Sequence, residues 1–171
     1  YTEGVVVVNV DKNLSPAQRA GIRENDVILS ANGEQLTSNE QLGEIISDSA
    51  GEDIELSAKR DKSPISVTIT PEQSADGGYY AGMWVRDSAA GLGTLTYFDE
   101  STMTLAALGH GIVDRDTEML MPVREGEICE AAISSVTKGR RGVAGGLNGY
   151  MTPEVVGTVT VNSAYGVFGR C

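Results

Sequence analysis

Apolar residues in this chain occur in short runs separated by glycines and polar turns, and this pattern predicts mainly β structure with short helices. The first run, residues 4–10, is almost wholly apolar and predicts a buried strand. Ser15 can then cap a helix that begins at Pro16, where the missing N–H of proline costs nothing, and Gly21 ends that helix. The chain therefore opens with a strand and one short helix.

A hairpin and a longer helix follow. Residues 27–30 predict a strand, and the dipeptide Asn32-Gly33 after it is a signal for a tight hairpin. Residues 38–48 carry apolar side chains at helical spacing and predict an amphipathic helix. Two further strands are predicted at residues 54–59 and 65–70.

The order of these elements resembles the PDZ domain, an α/β fold built on a partly open barrel. The resemblance rests on Ser-Pro-Ala-x-x-Ala-Gly-Ile at 15–22, followed by Asp-Val-Ile at 26–28 and Asn-Gly at 32–33. In that family the C-terminus of a peptide adds as a strand between a sheet edge and the second helix, and a glycine-bearing loop holds its carboxylate. The resemblance implies that residues 1–4 are this loop, 5–8 the edge strand and 39–46 the groove helix.

The resemblance implies a set of peptide-binding residues. They are Tyr1, Thr2, Glu3, Gly4, Val5, Val6, Val7, Asn39 and Leu42. The loop departs from the usual Gly-Leu-Gly-Phe form of the family, and Glu3 would repel a bound carboxylate. The alternative is a PDZ-shaped module that docks within its own protein instead of binding a separate peptide.

A polar stretch without a periodic apolar face, residues 71–78, predicts a domain boundary. We therefore expect a first domain at 1–71, a linker at 72–78 and a second domain at 79–171. Residues 79–86 predict the first strand of this second domain, with Trp84 as a core residue.

A predicted hairpin in the second domain ends on the only histidine of the chain. Its strands are predicted at residues 94–97 and 104–108, and His110 follows between two glycines that allow a sharp bend. Such a hairpin end can present a general base, whereas the alternative is a histidine that bonds a local carbonyl. Further apolar runs at 120–124, 126–138 and 155–161 favour an all-β barrel.

The charge and the cysteine content of the chain limit the partners and cofactors that we expect. The net charge of −11 and the pI near 4.4 exclude nucleic acid as an expected partner, because phosphate binding needs a basic surface. Cys129 and Cys171 form no metal-ligand spacing, so we expect neither a metal nor another cofactor. The chain begins at Tyr1 without a methionine and ends directly after an apolar run, so we expect it to be part of a longer protein.

The PDZ-like region followed by three later segments resembles the stage IV sporulation protein B peptidase family. These segments are Gly-Leu-Gly-Thr-Leu-Thr-Tyr at 91–97, Ala-Leu-Gly-His-Gly-Ile-Val-Asp-Arg-Asp-Thr at 107–117, and Asn-Ser-Ala-Tyr-Gly-Val-Phe-Gly at 162–169. The resemblance implies a trypsin-like antiparallel β-barrel with serine endopeptidase activity, here incomplete at its C-terminus. It also implies secretion from the forespore into the space between the two forespore membranes, with attachment to a membrane through an earlier segment as an alternative.

The same resemblance implies a role in sporulation signalling. Such a peptidase cleaves itself and then cleaves an inhibitory subunit of an intramembrane metalloprotease complex, which activates a late sigma factor. The partners implied are therefore this protein substrate and a peptide or protein C-terminus in the PDZ-like groove.

Within that chemistry His110 matches the general base, which takes the proton of a serine. That serine belongs in a Gly-x-Ser-Gly turn, and residues 1–171 contain none, so we expect the nucleophile outside this chain and the chain itself to be inactive. Asp114 or Asp116 is the candidate for the acid that orients the imidazole, with turn capping as the alternative role.

Two other functions stay open from the sequence. One is a noncatalytic adaptor, in which the PDZ-like groove binds a peptide and the β domain has no chemistry of its own. The other is a cysteine peptidase that uses Cys129 or Cys171 with His110.

Overall fold

A computed structural model describes residues 1–171, and the chain folds as two compact units. The first unit comprises Tyr1–Ala89 with Val113–Arg124, and the second comprises Ala90–Ile112 with Glu125–Cys171. Strands hold 49% of the residues and helices 8%, so the expected mainly β class is confirmed. The helices are α1 (Pro16–Arg19) and α2 (Asn39–Asp48). The strands are β1 (Val5–Val10), β2 (Val27–Ala31), β3 (Glu34–Gln35), β4 (Ile54–Arg60), β5 (Ser63–Ile69), β6 (Glu72–Gln73), β7 (Tyr79–Tyr80), β8 (Met83–Arg86), β9 (Tyr97–Asp99), β10 (Thr104–Leu108), β11 (Glu127–Thr137), β12 (Gly146–Ser163) and β13 (Gly166–Arg170).

The sheet of the first unit has the order β5-β4-β2-β1-β8, and β3 pairs with the free end of β2. All of its pairs are antiparallel. Side chains alternate between the two faces of the sheet along β4, so Ile54, Leu56 and Ala58 are buried in the core and the residues between them face outward. The core is almost wholly aliphatic, as expected from the low aromatic content of 5%.

Helix α1 begins at the predicted cap Ser15, and Ser38 caps α2. The hydroxyl of Ser15 accepts a hydrogen bond from the amide of Gln18 at 3.3 Å, and Pro16 is the first helical residue. The hydroxyl of Ser38 accepts a hydrogen bond from the amide of Gln41 at 3.1 Å at the start of α2. No helix of the structure is long and apolar enough to cross a membrane.

Gly4 and Gly82 are glycines with positive φ at which a side chain would also collide with a neighbour. Gly4 has φ +77°, and a Cβ there would lie 2.3 Å from the carbonyl oxygen of Ile28, so the loop before β1 can pass β2 only as glycine. Gly82 has φ +71°, and a Cβ there would lie 2.3 Å from the Cβ of Ser15. This second glycine separates β7 from β8.

Residues 79–86 belong to the first unit, whereas the sequence placed them at the start of the second domain. Strand β7 forms a two-stranded sheet with β6, which lies within the expected linker, and β8 pairs with β1. Met83 and Val85 pack against the core, so the side chain between them points outward and Trp84 is 54% exposed. The prediction that Trp84 is a core residue was therefore wrong.

The second unit is a curled antiparallel sheet, half of a barrel, with the order β11-β12-β13-β10-β9. Strand β12 spans 18 residues, and irregular pairing interrupts its register with both neighbours. The predicted strand at 120–124 does not form. Its residues form isolated bridges in the first unit, Leu120 with Val113 and Val123 with Thr2, instead of a strand.

Candidate peptide groove and candidate active site

The β1 edge, where the sequence placed a peptide, pairs with β8 of the same chain. Val7 lies opposite Val85, and Val6 lies opposite Arg86, in antiparallel register. Because β2 takes the other edge of β1, this strand has a neighbour on both sides. The predicted edge is therefore filled from within the protein.

Asp87, directly after β8, bonds two groups at the predicted carboxylate site. The amide of Thr2 donates to the main-chain oxygen of Asp87 at 2.8 Å, and the Thr2 hydroxyl lies 3.0 Å from the same oxygen. The amide of Asn39 donates to the Asp87 carboxylate at 2.9 Å. Since Asn39 is the first residue of α2, this carboxylate lies at the positive end of the helix. The loop at 1–4 and the start of α2 thus hold an acidic residue between them.

The remaining residues implied for peptide binding are partly in the core and partly at the surface. Leu42, Val5 and Val7 are buried in the core of the first unit. Tyr1 is exposed, and the carboxylate of Glu3 pairs with the ammonium of Lys59 at 2.8 Å. This pair reduces the negative charge that Glu3 would otherwise present to a bound carboxylate.

His110 is exposed and follows the end of β10. Its Nδ1 lies 2.9 Å from the carbonyl oxygen of Gly111. Because a carbonyl can only accept, a neutral ring making this bond carries its proton on Nδ1 and leaves the lone pair of Nε2 free. This is the tautomer in which a histidine can take a proton from a serine.

Hydrogen bonds within the second unit hold the chain on both sides of His110. The amide of Gly109 donates to the carbonyl of Tyr165 at 3.1 Å. The side-chain amide of Asn162 bonds Ile112 twice, since it accepts from the Ile112 amide at 2.7 Å and donates to the Ile112 carbonyl at 2.9 Å. The turn that carries the imidazole is thus tied to β12 and to the turn before β13, a link that the sequence pattern did not reveal.

Asp114 and Asp116, the candidate orienting acids, share one arginine of the first unit. Arg86 donates through Nη1 to Asp114 at 2.6 Å and through Nη2 to Asp116 at 2.5 Å. The other oxygen of Asp114 accepts the amides of Asp116 and Thr117 at 2.9 and 3.0 Å. Every hydrogen bond of the Asp114 carboxylate is therefore made within its own turn or to Arg86.

These contacts set the charge state of Asp114. Burial raises the pKa of its carboxyl, but the amides of Thr117 and Asp116 and the positive charge of Arg86 outweigh burial, and the net effect lowers the pKa from its usual value of 3.8. The Asp114 carboxylate therefore caps its own turn and is charged at neutral pH.

The serine hydroxyls of the second unit bond main-chain carbonyls, the side-chain amide of Asn148 or the carboxylate of Asp99, and none bonds His110. Ser134 donates to the carbonyl of Asn148 at 3.1 Å, and Ser163 donates to the carbonyl of Gly166 at 3.1 Å. Both cysteines are free thiols, with Cys129 half-buried in β11 and Cys171 exposed. No group of three or more histidine, cysteine or acidic side chains has the geometry of a metal site.

Two family models together match nearly the whole chain. The model described as SpoIVB peptidase S55 matches residues 77–171, more than half of the chain. The model described as PDZ domain matches residues 1–70.

Three individual relatives each match about half of the chain or less. A curated protein of Nostoc sp., named "Putative zinc metalloprotease", is 41% identical over 66 residues, so that 36% of this chain spans 18% of that protein. Crystal structures of PDZ domains from SdrC-like proteins of Listeria monocytogenes and Listeria innocua are 20% and 18% identical in sequence to this chain. They cover 51% and 50% of this chain and 92% and 97% of their own, with TM-scores of 0.46 and 0.44.

Proposed function

The chain belongs to the SpoIVB peptidase S55 family and carries a PDZ domain before its peptidase domain, as the sequence resemblance predicted, and we propose that it supplies the general base of a serine endopeptidase. In this proposal Nε2 of His110 takes the proton of a serine hydroxyl while the serine oxygen attacks the scissile carbonyl. The imidazolium then gives that proton to the leaving amine. The serine belongs to a part of the protein outside residues 1–171.

The observation that carries this proposal, beside the family match, is the state of the His110 ring. The ring is exposed, its Nδ1 proton is held by the Gly111 carbonyl, and its Nε2 is free to accept a proton. In a serine peptidase a carboxylate usually makes the bond to Nδ1. Here a main-chain carbonyl makes it, so the tautomer is set without an acidic side chain.

The biological setting that we propose is sporulation signalling. The protein is secreted from the forespore, cleaves itself, and cleaves an inhibitory subunit of an intramembrane metalloprotease complex, so that a late sigma factor becomes active. The PDZ domain supports a peptide or protein C-terminus as partner. It would bring that partner to the peptidase or hold the cleaved end of the peptidase itself.

A fluorophosphonate probe on the full-length protein tests the reaction class, because it labels only an activated serine. We expect labelling of the wild type, loss of labelling in His110→Ala, and unchanged labelling in the control Ser163→Ala, whose hydroxyl bonds Gly166. Labelling that persists in His110→Ala would refute His110 as the base.

The second candidate is the noncatalytic adaptor, favoured by the carboxylates of Asp114 and Asp116 being engaged with Arg86. It predicts no fluorophosphonate labelling of any variant. A cysteine peptidase instead predicts a proteolytic activity that iodoacetamide abolishes and that Cys129→Ser or Cys171→Ser removes.

A further inference from the structure

The hairpin of β11 and β12 extends beyond the rest of its sheet as a two-stranded ribbon. Strand β12 pairs with β13 only from Thr158 onward, whereas its pairing with β11 continues to Thr137 opposite Gly146. Residues 131–151, called the arm below, therefore have no third strand beside them, and every residue from 133 to 151 is exposed. Because a two-stranded hairpin is only marginally stable in water by itself, a surface that covers the arm would stabilise it.

The charge of the arm is opposite to that of the whole protein. The chain has 24 acidic residues and a net charge of −11, yet none of these acids lies within residues 131–153. The same stretch contains Lys138, Arg140 and Arg141, all exposed in the loop at the tip of the arm. The ion pairs of the structure involve other residues, so these three cations face solvent without an acidic partner.

The length of the arm separates these cations from the acidic residues nearest to them in sequence. Glu130 and Glu154 lie at the base of the arm, about 20 Å from Lys138 along the strands. Charges are largely screened from one another beyond about 8 Å at physiological ionic strength. An anionic surface that meets the tip therefore interacts chiefly with its three cations.

Aliphatic side chains lie beside the cations. Val143 belongs to the same loop, which two main-chain hydrogen bonds close, and its side chain is more than half exposed. Val136 lies directly opposite Leu147, so these two exposed side chains share one face of the ribbon. The side-chain amide of Asn148 bonds hydroxyl groups of β11 on the other face. Cations next to exposed aliphatic groups are the combination that binds the surface of an anionic bilayer.

We propose that the arm docks this protein on a membrane surface that contains anionic phospholipid. The three cations of the tip lie at the headgroups, and Val143 enters the boundary between headgroups and acyl chains. An acidic protein would also match the cations, but a bilayer buries the aliphatic side chains without needing a groove of matching shape. This docking depends neither on the peptidase reaction nor on the peptide-binding role proposed above.

Co-sedimentation of the 171-residue chain with lipid vesicles measures the docking. Vesicles of phosphatidylcholine mixed with phosphatidylglycerol supply an anionic surface, and vesicles of phosphatidylcholine alone supply a neutral one. Each basic residue at an anionic membrane strengthens binding about fivefold. The triple variant Lys138→Gln, Arg140→Gln, Arg141→Gln should therefore partition into anionic vesicles about a hundredfold less than the wild type. Added salt should weaken binding of the wild type.

A matched control removes three cations from the first unit and so gives the protein the same net charge. It combines Lys12→Gln, Arg23→Gln and Lys62→Gln, all at exposed positions outside helices and strands. We expect its partition into anionic vesicles to stay within about twofold of the wild type, because these cations lie outside the arm. Circular dichroism checks that both triple variants keep the β structure.

A fluorophore shows which part of the second unit touches the membrane. An environment-sensitive dye on Val143→Cys, with Cys129→Ser and Cys171→Ser, should shift its emission to the blue with anionic vesicles and not with neutral ones. The same dye on the native Cys171, with Cys129→Ser, should keep its emission. Cys171 follows Arg170, which pairs with Thr158 outside the arm.

Several results would overturn the proposal. Equal binding to anionic and neutral vesicles, or no binding to either, would mean that the arm does not dock on anionic lipid. Equal binding by the two triple variants, or a blue shift at Cys171 instead of Val143→Cys, would assign the contact to another surface. Binding to immobilised polyglutamate in place of vesicles, lost in the arm variant, would assign the cations to an acidic protein partner. None of these results bears on fluorophosphonate labelling, so the proposed peptidase function is judged separately.

Discussion

Replacing Asp114 with asparagine distinguishes a turn-capping carboxylate from one that orients a catalytic histidine. One Asp114 oxygen accepts the amides of Asp116 and Thr117, and an asparagine carbonyl can still accept both. The other oxygen accepts from Arg86 at 2.6 Å, where asparagine presents an NH₂ group that cannot accept. Asp114→Asn therefore breaks the pair with Arg86 and keeps the turn.

The size of the effect follows from burial. The Asp114 side chain is 1% exposed and that of Arg86 is 38% exposed, so solvent screens one partner only. We expect the free energy of unfolding to fall by about 1–2 kcal/mol. This is near the low end of the values for hydrogen bonds to charged groups, because Arg86 still pairs with Asp116 in the variant. Asp116→Asn is the matched control, and because that side chain is 58% exposed it should cost less than about 0.5 kcal/mol.

Urea unfolding followed by tryptophan fluorescence measures this loss. Trp84 is the only tryptophan and lies in the first unit, so its emission reports the unit that contains Asp114. The folded-state pKa of Asp114 is lowered, so its charge stabilises the fold above pH 3.8, the usual pKa value, and this contribution is lost as the pH falls through the folded-state pKa. The stabilities of wild type and Asp114→Asn should therefore converge in acid.

Fluorophosphonate labelling of the full-length protein supplies the refuting result. We expect Asp114→Asn to be labelled within about twofold of the wild-type rate, because the Nδ1 proton of His110 is held by Gly111. A fall of about 10⁴ with an unchanged urea midpoint would identify Asp114 as the orienting acid and refute the turn-capping interpretation.

Three further changes test other contacts. Gly4→Ala should cost about 2–4 kcal/mol in urea unfolding, because its φ is +77° and its Cβ would lie 2.3 Å from a carbonyl oxygen of β2. Arg60→Ala should cost about 3 kcal/mol by the same assay, because Arg60 makes two hydrogen bonds of 2.7 and 2.6 Å to the buried carboxylate of Asp26, and adding Asp26→Asn should recover part of that loss. Asn162→Asp keeps the acceptor for the Ile112 amide and loses the donor to its carbonyl, so hydrogen exchange around His110 should rise and fluorophosphonate labelling should slow.

Each of these expectations has a contrary outcome. A Gly4→Ala protein with wild-type stability would mean that the loop can move away from β2. Additive losses in the Asp26 and Arg60 cycle would mean that the pair has no coupling energy. Unchanged exchange at Ile112 in Asn162→Asp would mean that the donor half of this contact does not order the turn.

Signals that act over a few residues predicted the first unit well. Ser15 with Pro16 predicted the start of α1, because a cap bonds an amide only three residues away, and apolar residues at helical spacing predicted α2. Asn32 and Gly33 have φ of +51° and +80°, the left-handed pair that a tight hairpin requires. The physical cause of each of these elements lies within a few neighbouring residues, so each could be predicted from the sequence alone.

The second unit was harder to predict because its longest strand lacks periodicity. Strand β12 begins at Gly146 and passes through glycine and polar positions that gave no signal for a strand, yet it pairs with β11 along its length. The predicted strand at 94–97 starts only at Tyr97 in the structure, although the Thr96 amide still bonds the Ala106 carbonyl at 2.8 Å. Pairing with a distant partner, rather than local propensity, decides these bounds.

The groove and the candidate acids depend on one segment whose partners the sequence could not reveal. Alternation in residues 83–86 shows which side chains face a core, but it contains no information on which strand lies alongside. Pairing of β8 with β1 places Asp87 at the start of α2 and points Arg86 at the turn that holds Asp114 and Asp116. The β1 edge where a peptide was expected and the two aspartates expected near His110 are therefore both engaged by this one strand, since β8 pairs with β1 and its Arg86 binds both carboxylates.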